Sequence, residues 1–291
     1  MLFKTALSLA LLALSSAAMA LEMKLLSSYE WSHDDPRFGG FSGIHIEDES
    51  DSFLAISDRG HYAKGRIERD TRKITKVHLD RLAPLPLTKG RTPNEFLEDA
   101  EGLAVSPDGT IYISYESHHR VWAFKDFQTD AEWTHKWDFF WKFQPNSGLE
   151  ALAVDAEGAV YAIPERSGKW ERPFPVYTLK DGTWAQNLSL KRSERFLVVG
   201  ADFGPDGKLY LLERDFNILE QFKSRIRRFE LTPDGFDQGE TVLQTSLSAL
   251  GNAEGISLWV DKEGRTIVTI IADDNFNGVQ KTWITEYELQ D

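Results

Sequence analysis

Short stretches of alternating hydrophobic and polar residues recur along the chain, and each is followed by a turn signal and a second β-rich stretch. In "AEGLAVSPDGTIYISYES" (100–117), the turn signal between the two runs is Asp108-Gly109. An acid–glycine pair between two alternating runs is typical of a β-hairpin. The pattern therefore predicts a series of hairpins, and it predicts no amphipathic helix after residue 20. The other acid–glycine turns are Glu157-Gly158, Asp206-Gly207 and Glu263-Gly264.

These hairpins form five repeating units, each opened by a small residue. The first and last of these anchors, Gly43 and Gly255, are separated by four intervals that average about 53 residues. Units of about 40–50 residues with four strands each are typical of β-propeller blades. Five such units fit the chain after residue 20, whereas six fit only if one blade is incomplete. The sequence therefore predicts an all-β fold, a β-propeller with five four-stranded blades, and six blades are the alternative.

The fifth unit has only three predicted strands, the last of which is "TWITEYEL" (282–289). A further strand-like stretch, "LEMKLLSSYEW" (21–31), precedes the first unit and has no partner there. Pairing these two stretches completes the fifth blade and closes the ring with both ends of the chain in one sheet. We therefore expect a single propeller domain over residues 21–291.

Residues 1–20 have the three parts of an export signal. Lys4 provides the positive charge, an apolar core follows, and Ala18-Met19-Ala20 gives the small-residue cleavage pattern. A membrane anchor is the alternative, but Ser8, Ser15 and Ser16 interrupt the apolar run, which a spanning helix needs for about 20 residues. We predict cleavage after Ala20 and a periplasmic or secreted protein that does not insert into a membrane.

The overall charge and the absence of cysteine exclude several functions. The net charge is −13, which argues against nucleic acid or an anionic membrane as the main partner. The chain contains no Cys, so thiolate zinc sites and cysteine nucleophiles are excluded. A small anionic molecule, such as a phosphate ester, is the partner that we expect.

Carboxylates recur where the inner strands of the blades begin and end. "YLLERDF" (210–216), for example, passes directly from apolar residues into three charges. Equivalent strand ends meet around the axis of a propeller, and in an antiparallel pair one strand begins beside the end of the other. We therefore expect these carboxylates to surround one mouth of the central channel. The metal-ligand candidates are Asp58, Glu101, Glu116, Glu150, Glu165, Glu213, Glu254, Asp273 and Asp274.

Carboxylates crowded around one axis repel each other unless they take up protons or bind cations. Arg59, Arg166 and Arg214 each directly follow one of these carboxylates and are candidates for binding an anionic substrate. A set of oxygen ligands favours Ca²⁺, with Mg²⁺ as the alternative. The alternative to a ligand site is a purely structural role, in which Glu–Arg pairs lock neighbouring blades together.

The motifs "GGFSGI…AISDRG", "SGLEALAV", "LYLLERDF…RIRRFEL" and "AEGISL…IIADDNFN" resemble those of the phytase-like family, also called the esterase-like activity of phytase family. The resemblance covers nearly all of the chain after residue 20. It implies an exported bacterial β-propeller with a distant similarity to calcium-dependent propeller phytases. By position, its motif residues correspond to Asp58-Arg59, Glu213-Arg214-Asp215 and Asp273-Asp274-Asn275.

Two classes of function fit these residues. The first is a Ca²⁺-dependent phosphoesterase or related esterase, with Glu213, Asp215 and Asp58 as candidate catalytic residues. A lactonase of the gluconolactonase type is a variant in which opening glutamates such as Glu101 and Glu254 bind the ion. The second is a non-catalytic binding or scaffold propeller whose ion is structural, because the fold alone does not determine the activity.

Overall fold

Five antiparallel sheets of four strands each surround one axis. The computed structural model describes residues 22–91, 98–116, 118–134, 140, 143, 148–216 and 221–290. From the axis outwards, the sheets have the orders β2-β3-β4-β5, β6-β7-β8-β9, β10-β11-β12-β13, β14-β15-β16-β19 and β20-β21-β22-β1. We call these sheets blades one to five. The prediction of a five-bladed propeller is confirmed.

Within blades one to four the strands follow in chain order, and a separate short hairpin, β17–β18, lies between β16 and β19 in the chain. Their bounds are β1 Glu22–Glu30, β2 Phe41–Ile46, β3 Ser52–Ser57, β4 His61–Asp70, β5 Lys73–Pro84, β6 Ala100–Val105, β7 Ile111–Tyr115, β8 Arg120–Phe124, β9 Glu132–Trp133, β10 Ala151–Val154, β11 Val160–Ile163, β12 Phe174–Lys180, β13 Thr183–Leu190, β14 Leu197–Phe203, β15 Leu209–Phe216, β16 Phe222–Phe229, β17 Leu231–Thr232, β18 Gly235–Phe236, β19 Glu240–Gln244, β20 Asn252–Val260, β21 Thr266–Asp273 and β22 Trp283–Gln290.

The two ends of the chain close the ring in blade five. Strand β1 pairs antiparallel with β22, so that Met23 lies opposite Leu289 and Tyr29 lies opposite Ile284. This pairing covers the outer edge of β22, whose backbone N–H and C=O groups would otherwise be free to pair with another chain. The predicted role of the N-terminal strand is confirmed.

The innermost strands approach each other closely around the axis, and this requires small residues. A Cβ atom added at Gly255 on β20 would lie 2.9 Å from the Cα atom of Gly43 on β2. Side chains do not tolerate such a distance to a backbone atom, so glycine is needed at this contact. The anchors that revealed the repeat in the sequence are therefore the points at which the blades meet.

The hydrophobic core is divided into five clusters, one between each pair of neighbouring blades. The cluster between blades five and one, for example, packs Trp31, Phe41 and Ile271 together. The cluster between blades three and four packs Phe174, Leu211 and Phe229. Burial between neighbouring blades holds the ring together, because each blade covers the apolar faces of the next.

The predicted signal peptide at residues 1–20 lies outside the described residues and stays a prediction. Within the described residues, no helix has the length and apolar character needed to cross a membrane.

Candidate functional site

A cavity of about 210 Å³ opens at the end of the channel where the inner strands begin and their neighbours end. We call this end of the molecule the mouth. Seven carboxylates and one arginine line the cavity, so its walls are strongly acidic. The described lining residues are Gly40, Ser42, Asp58, Glu101, Glu116, Glu150, Glu165, Arg214, Glu254, Asp273 and Asn275.

Below the cavity, apolar side chains close the channel. Residues two positions apart on a strand face the same side. On the inner strands, the residues two positions after the mouth residues therefore also face the axis. Only a void of about 10 Å³ remains at this level. Among the described residues, the mouth is therefore the open route into the cavity. The channel-facing residues at this level include Ile44, Leu103, Leu152, Ala201 and Ile256.

Within the described part of the chain, two groups of three carboxylates are each close enough to share one cation. Oxygen atoms of Asp99, Glu101 and Glu116 lie within 4.8 Å of one another, and so do those of Glu101, Glu150 and Glu254. Glu101 belongs to both groups and is the centre of the cluster. Oxygen ligands at this spacing suit Ca²⁺ or Mg²⁺.

Without a cation, the carboxylates at the centre of the cluster resist ionising together. Burial raises the pKa of Glu101 well above its ordinary value, and the charges of Glu150, Glu254, Asp99 and Glu116 raise it further. Burial likewise raises the pKa of Glu150 well above the ordinary range, together with the charges of its neighbours. Such groups hold protons near neutral pH or give them up to a cation.

Asp58 and Asp273 lie at the blade-one and blade-five side of the mouth and titrate closer to neutrality. Burial raises the pKa of Asp58 to about 6, and the adjacent Arg59 opposes this rise. Burial also raises the pKa of Asp273 to about 7, with a further contribution from the charge of Glu254. Both values lie in the range where a carboxylate can exchange a proton during a reaction at neutral pH.

Arg214 is the one cation among the described lining residues. Its Nη1 atom donates hydrogen bonds to Asn252 and to Glu254, and the Glu254 contact is also an ion pair. Burial lowers the pKa of the guanidinium, but the charge of Glu254 outweighs this effect and the net pKa is raised. Arg214 therefore remains charged and neutralises one side of the mouth.

The structure corrects the predicted position of Glu213. Its side chain is completely buried inside blade four and does not line the cavity. Arg227 donates two hydrogen bonds to its carboxylate, at 2.7 and 2.8 Å, and Arg225 donates one at 2.9 Å. Residues adjacent in a strand face opposite sides, so Glu213 faces away from the mouth when Arg214 faces it.

The spacing of residues in the sequence indicates that Arg214, and not Glu213, lies at the mouth. The separation from the turn glycine is the same for Gly109 to Glu116, Gly158 to Glu165 and Gly207 to Arg214. Counting from the turn, rather than from the first acidic residue, places Arg214 at the mouth.

Four other predicted site residues lie outside the described lining of the cavity. The side chain of Asp274 accepts hydrogen bonds from the backbone of Gly40 and Phe276. Arg59 stacks on the ring of Phe276, with its Cζ atom 3.9 Å from the ring centroid. Arg166 donates to Glu165 at 2.8 Å and is half exposed at the edge of the mouth. Asp215 lies on β15 opposite Lys223, beyond the cavity.

Asp99 and Asn252 were missed in the sequence, although both belong to the same short motif. Asp99-Ala100-Glu101-Gly102 in blade two matches Asn252-Ala253-Glu254-Gly255 in blade five. Alternation along a strand places the first residue on the same side as the glutamate. The repeated motif therefore contained the signal that would have identified both residues.

Comparisons with known proteins give distant structural likenesses and one family match. No curated protein matches the chain significantly in sequence. Among solved structures, a gluconolactonase from Xanthomonas campestris is similar over 84% of this chain and 70% of its own, with 15% identity and a TM-score of 0.46. A PQQ-bound aldose sugar dehydrogenase from Streptomyces coelicolor is similar over 90% of this chain and 98% of its own, with 10% identity and a TM-score of 0.49. Both likenesses are too distant to support a conclusion about this chain.

A family model described as "Phytase-like: Esterase-like activity of phytase" matches residues 36–276. The match includes all five inner strands and every described residue that lines the mouth cavity. The chain therefore belongs to the phytase-like family.

Proposed function

We propose that the protein is a divalent-cation-dependent ester hydrolase whose reaction takes place in the mouth cavity. The observation that carries the proposal is the convergence of Glu101, Glu150 and Glu254 within 4.8 Å. These three groups come from three blades, and their convergence in one cavity fits a bound cation better than three mutually repelling charges.

The residues of the cluster fit Ca²⁺, with Mg²⁺ as the alternative. Glu101, Glu150 and Glu254 would hold the ion, and Asp99 and Glu116 offer further oxygen atoms beside Glu101. All of these ligands are carboxylates, which are hard oxygen donors. A bound cation would act as a Lewis acid on an oxygen atom of the ester.

The chain itself supplies groups that can move protons and stabilise negative charge. Asp58 and Asp273 line the cavity beside the cluster, and either carboxylate can act as a general base that accepts a proton from the attacking water. Arg214 keeps its Nε and Nη2 groups free of hydrogen bonds to the described residues, and these groups can donate to a developing oxyanion. The apolar floor of the channel limits the access of bulk water.

The charge of the cavity distinguishes between possible esters. A phosphate ester brings its own negative charges to walls with seven carboxylates and one arginine. Such a substrate requires either several divalent cations or protonation of part of the cluster. An uncharged carboxylic ester or a lactone requires only one cation. The proposal therefore includes both classes, and the dependence of turnover on the Ca²⁺ concentration separates them.

The second candidate is a binding or scaffold propeller whose ion is structural. It is favoured by the fact that Glu101, Glu150 and Glu254 belong to different blades, so a shared cation would tie those blades together. In this case the ion stabilises the ring but catalyses no reaction.

Turnover tests the proposal. The mature chain is assayed with p-nitrophenyl phosphate, phytate, p-nitrophenyl acetate and a simple lactone, in Ca²⁺ and in EDTA. We expect at least one substrate to be hydrolysed only in Ca²⁺, and we expect Glu101→Gln and Asp58→Asn to reduce that rate at least a hundredfold. Glu240→Gln, at an exposed ion pair on the outer strand β19, is the control. Stabilisation by Ca²⁺ without turnover of any ester would favour the second candidate.

A further inference from the structure

An exposed tryptophan with two arginines lies on the mouth side of blades three and four. Trp170 belongs to the loop between β11 and β12, and its side chain is 57% exposed. The Cζ atom of Arg192 lies 4.4 Å from the centroid of the Trp170 ring, and that of Arg195 lies 5.7 Å from it. Both arginines belong to the loop between β13 and β14. We call these three residues the tryptophan ledge.

The cations around this ledge lack carboxylate partners. Lys169, Arg172, Arg192 and Arg195 form no ion pair with any residue that the structure describes. This is unusual in a chain with a net charge of −13, where an acidic partner is available for most arginines. Glu171 is the one carboxylate between residues 166 and 172, and it too forms no ion pair in the described structure.

Arg192 is held in place but keeps unused hydrogen-bond donors. Its Nη1 atom donates to the hydroxyl of Ser167 at 3.1 Å and to the carbonyl oxygen of Lys169 at 3.5 Å. Its Nε and Nη2 atoms are buried without a hydrogen-bond partner among the described residues. Buried donors without an acceptor are costly, so the guanidinium keeps its positive charge beside Trp170 without a carboxylate to compensate it.

The ledge is connected to the mouth through a single loop. Glu165, which lines the cavity, begins the segment that carries Arg166 and Trp170. Burial lowers the pKa of the Arg192 guanidinium, and the nearby charge of Arg166 acts in the same direction, against the attraction of Glu213 and Glu165. An anion beside Arg192 would relieve this unfavourable balance.

We propose that the tryptophan ledge binds a ring-bearing carboxylate and holds one side of the ester whose other side enters the mouth cavity. The exposed face of Trp170 can stack on an aromatic ring or on the apolar face of a sugar ring. The exposed guanidinium group of Arg195 can pair with the carboxylate, and the positive charge of Arg192 adds to the attraction. The assignment of the bound molecule as part of a substrate rests on the proposed function, whereas the binding itself does not.

Calorimetric titration of the mature, metal-free chain in EDTA tests the ledge independently of hydrolysis. Sodium benzoate is the probe for an aromatic acid, and sodium glucuronate is the probe for a sugar acid. We expect saturable binding of at least one probe, and the stronger of the two identifies the kind of ring. Trp170→Ala and Arg195→Gln should each weaken this binding roughly tenfold, because each removes one of the two interactions.

Two matched variants separate the ledge from the mouth. Glu171→Gln removes the neighbouring negative charge and should strengthen binding about twofold to threefold. Glu101→Gln should leave the affinity of the probe unchanged, because Glu101 belongs to the mouth cavity. Both Trp170 and Arg195 are exposed, so melting curves like that of the wild type are expected for their variants.

The proposal is overturned if neither probe binds saturably to the wild type, or if Trp170→Ala and Arg195→Gln bind as the wild type does. Loss of probe binding in Glu101→Gln would also overturn it, since the probe would then occupy the mouth. Binding at the ledge in a protein that hydrolyses no ester would support the ledge and contradict the proposed function.

Discussion

Blade four differs from its neighbours at the mouth, although all five blades follow the same repeat. At the end of the second strand, blades two and three place Glu116 and Glu165 in the cavity, whereas blade four places Arg214 there. The glutamate of blade four, Glu213, lies on the opposite side of its strand and is matched by two arginines. A glutamate at the end of the second strand therefore lines the cavity or pairs with arginines inside the blade, depending on which side of the strand it faces.

The negative charges of these carboxylates are compensated in two different ways. Inside blade four, hydrogen bonds from Arg225 and Arg227 satisfy the carboxylate of Glu213, and they join β15 to β16. At the mouth, the half-buried Glu101 and the buried Glu150 form no ion pair with an arginine among the described residues, and the pKa of each is raised well above its ordinary value. The first arrangement is a complete structural lock, and the second is complete only with protons or a cation.

The largest expected effect is the loss of the lock. Glu213→Gln leaves Arg227 buried without a counter-charge and leaves Arg225 with only the exposed Glu194, and breaking a buried pair costs about 3–5 kcal/mol. We expect denaturant unfolding to show this loss equally in Ca²⁺ and in EDTA. Glu240→Gln, which breaks an exposed pair with Arg228, should cost at most about 1 kcal/mol. A loss seen only in Ca²⁺ would place Glu213 among the ligands after all.

The next effect concerns the mouth as a cation site. A cation that binds only the folded ring raises the free energy of unfolding by about 2.7 kcal/mol at a hundredfold excess over Kd. We expect the melting temperature to rise by several degrees in millimolar Ca²⁺ compared with EDTA. Equal melting curves after confirmed removal of metal would contradict a cation at the mouth, and they would leave proton binding as the only compensation.

The repeat carried most of the information about the fold. Gly43 and Gly255 had to be small because the inner strands touch there, and the same constraint made the five units visible in the sequence. The pairing of the N-terminal strand followed from a count of strands, since blade five lacked one. These features depend on local patterns and on the closure of the ring, and both can be read from a single sequence.

The candidate site was only partly predictable, because it depends on which side of a strand each residue faces. A shift of one residue reverses that side, so assigning "ER" at 213–214 by its first acidic residue selected Glu213 instead of Arg214. Asp274 was likewise indistinguishable from Asp273 in the sequence, yet only Asp273 lines the cavity. The stacking of Arg192 on Trp170 was not predictable, because two separate loops bring these residues together.

A smaller effect is expected from pH in the absence of metal. The pKa values of Asp58 and Asp273, about 6 and about 7, are raised above the ordinary value of 3.8, so the folded state holds these protons more tightly than the unfolded state. Stability should therefore fall as the pH rises from about 4 to 7, by about 2 kcal/mol between roughly pH 5.5 and 7.

Calcium should flatten this dependence, because the cation compensates the charges as the protons leave. Asp273→Asn should remove part of the slope in EDTA, since the group that titrates at about 7 is then absent. Unfolding in denaturant at several pH values measures the slope. A metal-free protein that becomes more stable across this range would contradict the raised pKa values.

The smallest expected effect is a change in the affinity for Ca²⁺ when the arginine or a glutamate at the mouth is replaced. Arg214→Met removes a positive charge and frees Glu254, which belongs to one of the two carboxylate groups that can share a cation. Affinity should therefore rise about fivefold to tenfold, which corresponds to about 1–1.4 kcal/mol. The metal-free variant should also be less stable, because Glu254 has lost its partner, and Ca²⁺ should restore the lost stability.

Glu101→Gln makes the opposite change, since it removes the carboxylate common to both groups, and it should lower the affinity for Ca²⁺. Titration calorimetry of Ca²⁺ into the two variants measures both directions in one experiment. If both variants weaken Ca²⁺ binding equally, Arg214 positions the carboxylate ligands instead of competing with the cation. Blade four would then differ from its neighbours in how it positions the ligands rather than in the charge that it brings to the mouth.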